Sequence, residues 1–241
     1  MSRLENISFE NEPSDVKEKV KSYWTKRSDS FSKHKHAEMH SEKNKLWREE
    51  FKNKLGEKPL KILDVGCGAG FFEAVLAPMG YDITGIDLTP EMVEKGKDIL
   101  KRHNIKAELF VGDGEEPDFP EESFDAVISR NLVWTLPHPD KAYKNWYKLL
   151  KKGGPLLVYD AEYAKGFHSL DQSKNRAHAD VTDELKEECH DIYHMLSISS
   201  LDRPEWDIDV LKGIGFSSAE ADLTVGDRIY NTEDEFYISE Q

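Results

Sequence analysis

Residues Leu63 to Phe72, LDVGCGAGFF, carry a strand-like apolar run through three closely spaced glycines into a helical pattern. Few folds use such a join. Glycine permits the left-handed backbone of a tight turn and the close approach of another group to the main chain. A strand turned into a helix in this way belongs to open α/β sheets, where ligands bind beyond the carboxyl ends of the strands. The rest of the chain keeps the rhythm. From Leu60, short apolar runs alternate with helical stretches, the pattern of a parallel sheet. LKILDV, YDITGID, KAELFVGD, FDAVISR and PLLVYD read as strands one to five. Ala69–Met79 is expected to form a helix closed by Gly80, and Thr89 to cap a helix with Pro90 at its first position. HPDKAYKNWYKLLKKGG reads as a helix stopped by Gly153 and Gly154.

Two segments fall outside that rhythm. Residues 14–55 read as helices, with Tyr23, Trp24, Phe31, Leu46, Trp47 and Phe51 as buried candidates. Residues 161–203 interrupt the alternation after strand five and read as a cap. Within the cap, ELKEECHDIYHMLSI is expected to be an amphipathic helix with Leu185, Ile192, Tyr193 and Leu196 facing inward. Helix RPEWDIDVLKGIG and strand FSSAEADLTV then resume the pattern, whereas NTEDEFYISEQ is short and polar for a sheet edge. The expected division is an N-terminal helical segment (1–58), a ligand-binding core (59–160), the cap (161–203) and the remainder of the sheet domain (204–241).

Charge narrows the partners. Across 241 residues, 33 basic side chains stand against 47 acidic ones, a net −14 that repels phosphate backbones and argues against nucleic acid. Residues 1–58 run the other way, with 14 Lys/Arg against 11 Asp/Glu. A solvated lysine-rich helix face explains this most simply; attraction of an anionic substrate is the sharper reading. No stretch approaches the roughly 18 apolar residues of a membrane span. Cys67 and Cys189 are too few for a disulfide framework, and the N-terminus lacks the apolar core of a signal peptide, so a cytoplasmic protein is expected.

The glycine loop discriminates among ligands. A dinucleotide fingerprint is G-x-G-x-x-G; here the third glycine comes one place early and Phe71 stands where it belongs. Asp64 lies two residues before Gly66, and the loop has no Lys or Arg. A pyrophosphate sits badly beside a carboxylate, whereas a cation near it gains about 4 kcal/mol at about 4 Å and an effective dielectric near 20, before desolvation. S-adenosylmethionine carries an ammonium and a sulfonium and no phosphate. The stretch suits a cation, and an NAD-dependent oxidoreductase is disfavoured.

From about Leu60 to Asp160 the sequence resembles the class I S-adenosylmethionine-dependent methyltransferases. LDVGCGAG is similar to that family's first motif, an acid followed by G-x-G-x-G, here Asp64, Gly66, Cys67, Gly68 and Gly70. Asp87, 23 residues beyond Asp64, matches the acid that accepts hydrogen bonds from both ribose hydroxyls. In VGDGEEPDFPEESFD, the resemblance makes Asp113 an acceptor from the adenine amino group, with Gly114 and Glu115 bordering the ring. It also places Leu88 and Met92 at the adenosine, and the backbone near Arg130 and Asn131 at the methionine moiety. LLKKGGPLLV is similar to the turn before the fifth strand, with Pro155 displaced from the usual position. The implied fold is a doubly wound, Rossmann-like, seven-stranded and mostly parallel sheet with N-terminal helices and a cap insertion after strand five. The implied function is methyl transfer to a small-molecule acceptor by a monomer or homodimer, leaving S-adenosylhomocysteine. A non-catalytic cofactor- or partner-binding module is the alternative.

Several residues keep two readings. Cys67 is a small turn side chain rather than a nucleophile. Met92 can be core, adenine contact or both, and Trp134 a wall near the transferred methyl or plain core. Tyr23 and Trp24, with the cap, are expected to close over the cofactor. The motif of enzymes that methylate planar amino groups is missing, SRNLVWTL standing in its place, which disfavours nucleic-acid bases and glutamine side chains. No sequence pattern marks a general base; His168, His190, Tyr193 and His194 in the cap are the candidates. His36 and His40, like His190 and His194, are four apart and could share a metal. Neither pair has a third ligand in the sequence, and no metal site is expected.

Overall fold

The computed structural model describes residues 9–160 and 181–230. Two helices come first, α1 (Val16–Met39) and α2 (Glu42–Leu55). The α/β unit follows: β1 (Lys61–Val65), α3 (Phe71–Leu76), β2 (Asp82–Asp87), α4 (Pro90–Arg102) and β3 (Glu108–Val111). It continues with β4 (Ala126–Arg130), α5 (Pro139–Leu149) and β5 (Leu156–Tyr159). Helices α6 (Asp183–Met195), α7 (Glu205–Ile214) and α8 (Val225–Tyr230) complete the described residues.

The five strands pair in the order β3-β2-β1-β4-β5, all parallel. Strand order reverses beside β1, the switch point at which such sheets bind ligands. The period of two in a strand sorts side chains to opposite faces. Leu63, Val65 and Val127 join the layer under Tyr143, Trp146 and Leu149 of α5. Ile62, Ile83 and Ile128 join the other layer, with Val75 and Leu76 of α3, Val93 of α4, and Trp47 and Phe51 of α2. Both faces are covered, so β1 is buried from Ile62 to Val65. Helix α2 is anchored by aromatics: Trp47 meets Phe72 at 5.0 Å and Tyr159 at 4.9 Å between ring centroids.

Two of the expected helix ends hold, but α5 ends at Leu149, short of Gly153 and Gly154, because Leu150 is already extended and bridges Phe124. Gly80 closes the α3 region in the left-handed conformation, and Thr89 precedes Pro90 at the start of α4. One expected strand does not exist. FSSAEADLTV is irregular and then enters α8, because Asp222 accepts the backbone N–H of Thr224 at 3.1 Å and its hydroxyl at 2.7 Å. This is a helix start, and such local bonds compete with a ladder; Leu223, 76% exposed, packs on nothing that would make it a sheet residue. Five strands therefore stand among the described residues where seven were expected; NTEDEFYISEQ lies outside them. No described helix is long and apolar enough to cross a membrane.

Candidate active site

A cleft opens over the carboxyl ends of β1, β2 and β4 and encloses ≈ 1400 Å³ out to open solvent. Its floor is the glycine loop. Gly66, Gly68 and Gly70 all take left-handed backbones, with φ of 78°, 53° and 76°. Gly66 is required twice over, since a Cβ there would also stand 3.0 Å from the Leu132 side chain. The loop is tied to β2: the N–H groups of Gly66 and Cys67 donate to the Ile86 carbonyl at 2.8 and 2.9 Å, and that of Gly68 donates to Asp87 Oδ2 at 2.9 Å. Asp87 Oδ1 accepts the N–H of Thr89 at 2.8 Å, so the carboxylate at the end of β2 is oriented from both sides. Burial raises its pKa, and the Thr89 and Gly68 donors partly offset that.

At β4 the chain turns through Asn131, held at φ 57°, a left-handed conformation uncommon outside glycine. Its N–H donates to the Tyr159 carbonyl at 2.9 Å, and its own carbonyl accepts Trp134 Nε1–H at 3.1 Å. Trp134 is fixed again by its main-chain N–H, which donates to Asp160 Oδ2 at 3.0 Å. Arg203 holds that carboxylate from the other side at 2.9 Å, although burial still pushes Asp160 up to about 6.

The roof is one face of α1. Lys17, Val20, Lys21, Trp24, Arg27 and Phe31 recur at helical spacing and line the cleft with Tyr23. Lys17 straps this helix to the loop after β3, donating to Asp113 Oδ2 at 2.8 Å and Glu115 Oε2 at 2.5 Å. Helix α6 adds Cys189, His190 and Tyr193. Burial pushes the Tyr23 phenol and Cys189 thiol up, so both stay protonated. Arg27 is 2% exposed, and its Nε and Nη1 have no hydrogen-bond partner in a buried setting.

Of the residues expected to hold a cofactor, Tyr23, Gly66, Gly68, Asp87, Leu88, Met92, Asp113, Gly114, Arg130, Asn131 and Trp134 line the cleft. Asp64, Cys67, Gly70 and Glu115 do not; they stand behind its wall. Strand parity puts Asp64 with Ile62 under α3, 2% exposed, with Oδ1 unpartnered. Burial and the Asp87 charge raise its pKa to about 8 despite Arg130. The Cys67 thiol turns under the loop to the Gly68 carbonyl. A side chain on Gly70 would face Leu109 and α4 rather than the cleft. Glu115 is consumed by Lys17 and by the His138 N–H at 2.5 Å. Among the base candidates, His190 and Tyr193 line the cleft, His194 does not, and His168 lies outside the described residues. Among the residues missed from the sequence are Lys17, Arg27 and Leu132. The first two could have been found by following the spacing of Tyr23 and Trp24 along the same helix face.

The donor set fits a cationic, nucleoside-bearing cofactor: left-handed glycines for close approach, an oriented acid at the end of β2, and a buried acid with an unpartnered oxygen beneath the loop. Residues 63–158 match a family model described as "Methyltransferase domain". The chain is 32% identical over 113 residues to phosphoethanolamine N-methyltransferase 3 of Arabidopsis thaliana, covering 46% of this chain and 23% of that protein. It is 39% identical over 103 residues to 2-methyl-6-phytyl-1,4-hydroquinone methyltransferase of Synechocystis, covering 41% and 31%. The matched stretch thus spans about a quarter to a third of these curated relatives. In fold, it is similar to Haemonchus contortus phosphoethanolamine N-methyltransferase 2 in complex with S-adenosyl-L-methionine, with a TM-score of 0.51 at 20% identity, covering 70% of this chain and 36% of that one. Residues 63–158 are thus similar to a methyltransferase domain, on a sheet whose fold is that of a structure holding S-adenosyl-L-methionine.

Proposed function

We propose that the protein transfers the methyl group of S-adenosylmethionine to a small-molecule acceptor held beneath α1 and α6. The observation that carries this reading is the two-part cleft. Its floor is made by the glycine loop and the acids at the strand ends, and its roof by Tyr23, Trp24, Phe31, His190 and Tyr193. Relatives named for phosphoethanolamine and for a hydroquinone support a small-molecule acceptor and differ in which.

In this reading Asp87 takes the ribose hydroxyls, Leu88, Met92 and Gly114 flank the adenine beside Asp113, and Asn131 and Trp134 bound the methionine end. The cofactor supplies a methyl already activated on a sulfonium. The chain's own task is to position the acceptor and to exclude water, and orientation of this kind can supply most of a rate enhancement. His190 and Tyr193 are placed to take a proton from an acceptor that must lose one. Helix α6, the described part of the expected cap, closes with the face of α1 over the filled site; residues 161–180 of that cap lie outside the described residues.

Incubation with labelled cofactor and a metabolite extract tests the reading. Label should enter a small molecule, and S-adenosylhomocysteine should bind in calorimetry while NADH does not compete. Binding of NADH without response to S-adenosylhomocysteine would overturn it.

A further inference from the structure

We propose that His36, His40 and His103 form a binding site for a divalent transition-metal ion of the zinc class, which pins the end of α1 to the end of α4. His36 lies in the last turn of α1, His40 caps that helix four residues on, and His103 caps α4. One ligand nitrogen from each of the three gathers within 4.8 Å of the others, the one such group of three among the described residues. His36 Nε2 and His103 Nε2 are 3.2 Å apart. Ligands on a tetrahedral ion with Zn–N of about 2.0–2.1 Å stand about 3.4 Å from one another, so this pair already has the span of two ligands. The rings of His40 and His103 are 5.1 Å apart between centroids, and those of His36 and His40 4.7 Å.

The backbones are held. The His40 N–H donates to the Ala37 carbonyl at 3.0 Å, and that of His103 to the Ile99 carbonyl at 3.2 Å. The two helices are also braced along their length: Thr25 Oγ1 donates to Glu91 at 3.0 Å, and Lys95 pairs with Asp29. Partner numbers rise together, so α1 and α4 run parallel and present their last turns side by side. Three imidazoles with no carboxylate among them suit zinc, nickel or copper rather than magnesium or calcium. The sequence hid this site because its third ligand lies 63 residues beyond His40. His190 and His194 share the same spacing on α6 and are not in such a group of three, so they serve as the control.

The experiment uses the tag-free full chain, with zinc titrated against a chromophoric chelator and cobalt as a spectroscopic reporter. One ion should bind per chain, with tetrahedral-type cobalt bands. Loss of an outer-shell partner alone typically costs about 10–100-fold in affinity, so His36→Ala, His40→Ala and His103→Ala should each cost at least that much. Replacing both His190 and His194 by Ala should leave zinc affinity unchanged. Zinc should raise the melting temperature of the wild type and not that of His103→Ala, with His103→Gln as a second variant if the first does not fold. No binding, or binding that survives loss of His103 or depends on His190 and His194, would overturn the site.

Discussion

Glu38 of α1 meets Arg130 at the end of β4 at 2.8 Å, across 92 residues of sequence, and both are buried. Glu38 also accepts from Lys35 at 2.7 Å and from Trp47 Nε1–H at 3.3 Å. Burial pushes its pKa up, but Arg130 and Lys35 outweigh that and hold it at about 2. Glu38→Gln should cost about 3–5 kcal/mol, as expected when one partner of a buried pair is removed. A depressed carboxyl stabilises above its unfolded value near 4.3 and loses that contribution as pH falls towards about 2. Urea melts from pH 7 to pH 2 should therefore show a steep acid limb that flattens in the variant.

Asp64 behaves with the opposite sign. Its folded pKa, about 8, lies above the unfolded value near 3.9, so its contribution to stability is present below about 4 and lost as pH rises through about 8. A cationic cofactor favours the carboxylate form. Binding of S-adenosylmethionine at pH 7 should release a proton and tighten as pH rises to about 8. Calorimetry in buffers of different ionisation enthalpy measures this release; Asp64→Asn should abolish it.

Asp87→Ala tests the ribose contact. Two charge-assisted hydrogen bonds at roughly 1.5–3 kcal/mol each imply at least tenfold weaker binding of S-adenosylhomocysteine. An unchanged dissociation constant, on a variant with a native melt, would leave Asp87 as the tie between Gly68 and Thr89.

Arg27 brings a buried guanidinium into the roof of the cleft beside Tyr23 and Cys189, one helical turn before Phe31, which stands 3.4 Å from the Cβ position of Gly68. We expect it to meet the carboxylate of the cofactor. Arg27→Met should weaken S-adenosylhomocysteine binding tenfold or more, given about 1.5–3 kcal/mol for such a bond. Removing an under-bonded charge should not lower the melting temperature of the free protein. Loss of affinity together with loss of stability would make Arg27 a structural residue instead.

Two glycines should respond in opposite directions. A Cβ on Gly85 would lie 2.1 Å from Glu73 Oε1 and 2.7 Å from Cys67 and Leu109, all in the core, so Gly85→Ala should cost about 1–3 kcal/mol. Gly213, within α7, has nothing within 4 Å of the same position, and Gly213→Ala should gain up to about 1 kcal/mol in helix propensity. Thermal melts of the two variants decide it.

The sheet was legible because periods of two and of 3.6 leave marks in any sequence, and the strands from Lys61 to Tyr159 fell where their apolar runs did. The roof was half legible. Tyr23 and Trp24 stood out as aromatics, but Lys17 and Arg27 on the same face read as solvated charge. Asp64 was placed at the ligand by motif, whereas strand parity sends its side chain beneath the loop. FSSAEADLTV failed as a strand because alternation alone does not supply a partner, and Asp222 gave the backbone a helix start instead. His103 could not be matched to His36 by spacing, since only the docking of α1 on α4 brings them together.

The split between floor and roof has an evolutionary consequence. Every floor residue is encoded between Gly66 and Pro137, whereas the described roof comes from the flanking pieces 17–31 and 189–193. Recombination at seams just before Lys61 and just after Asp160 would exchange one roof for another, on condition that the incoming helix brought a buried acid for Arg130 as Glu38 does. Under the proposed function, a lineage built this way can change its acceptor without relearning how to hold its methyl donor.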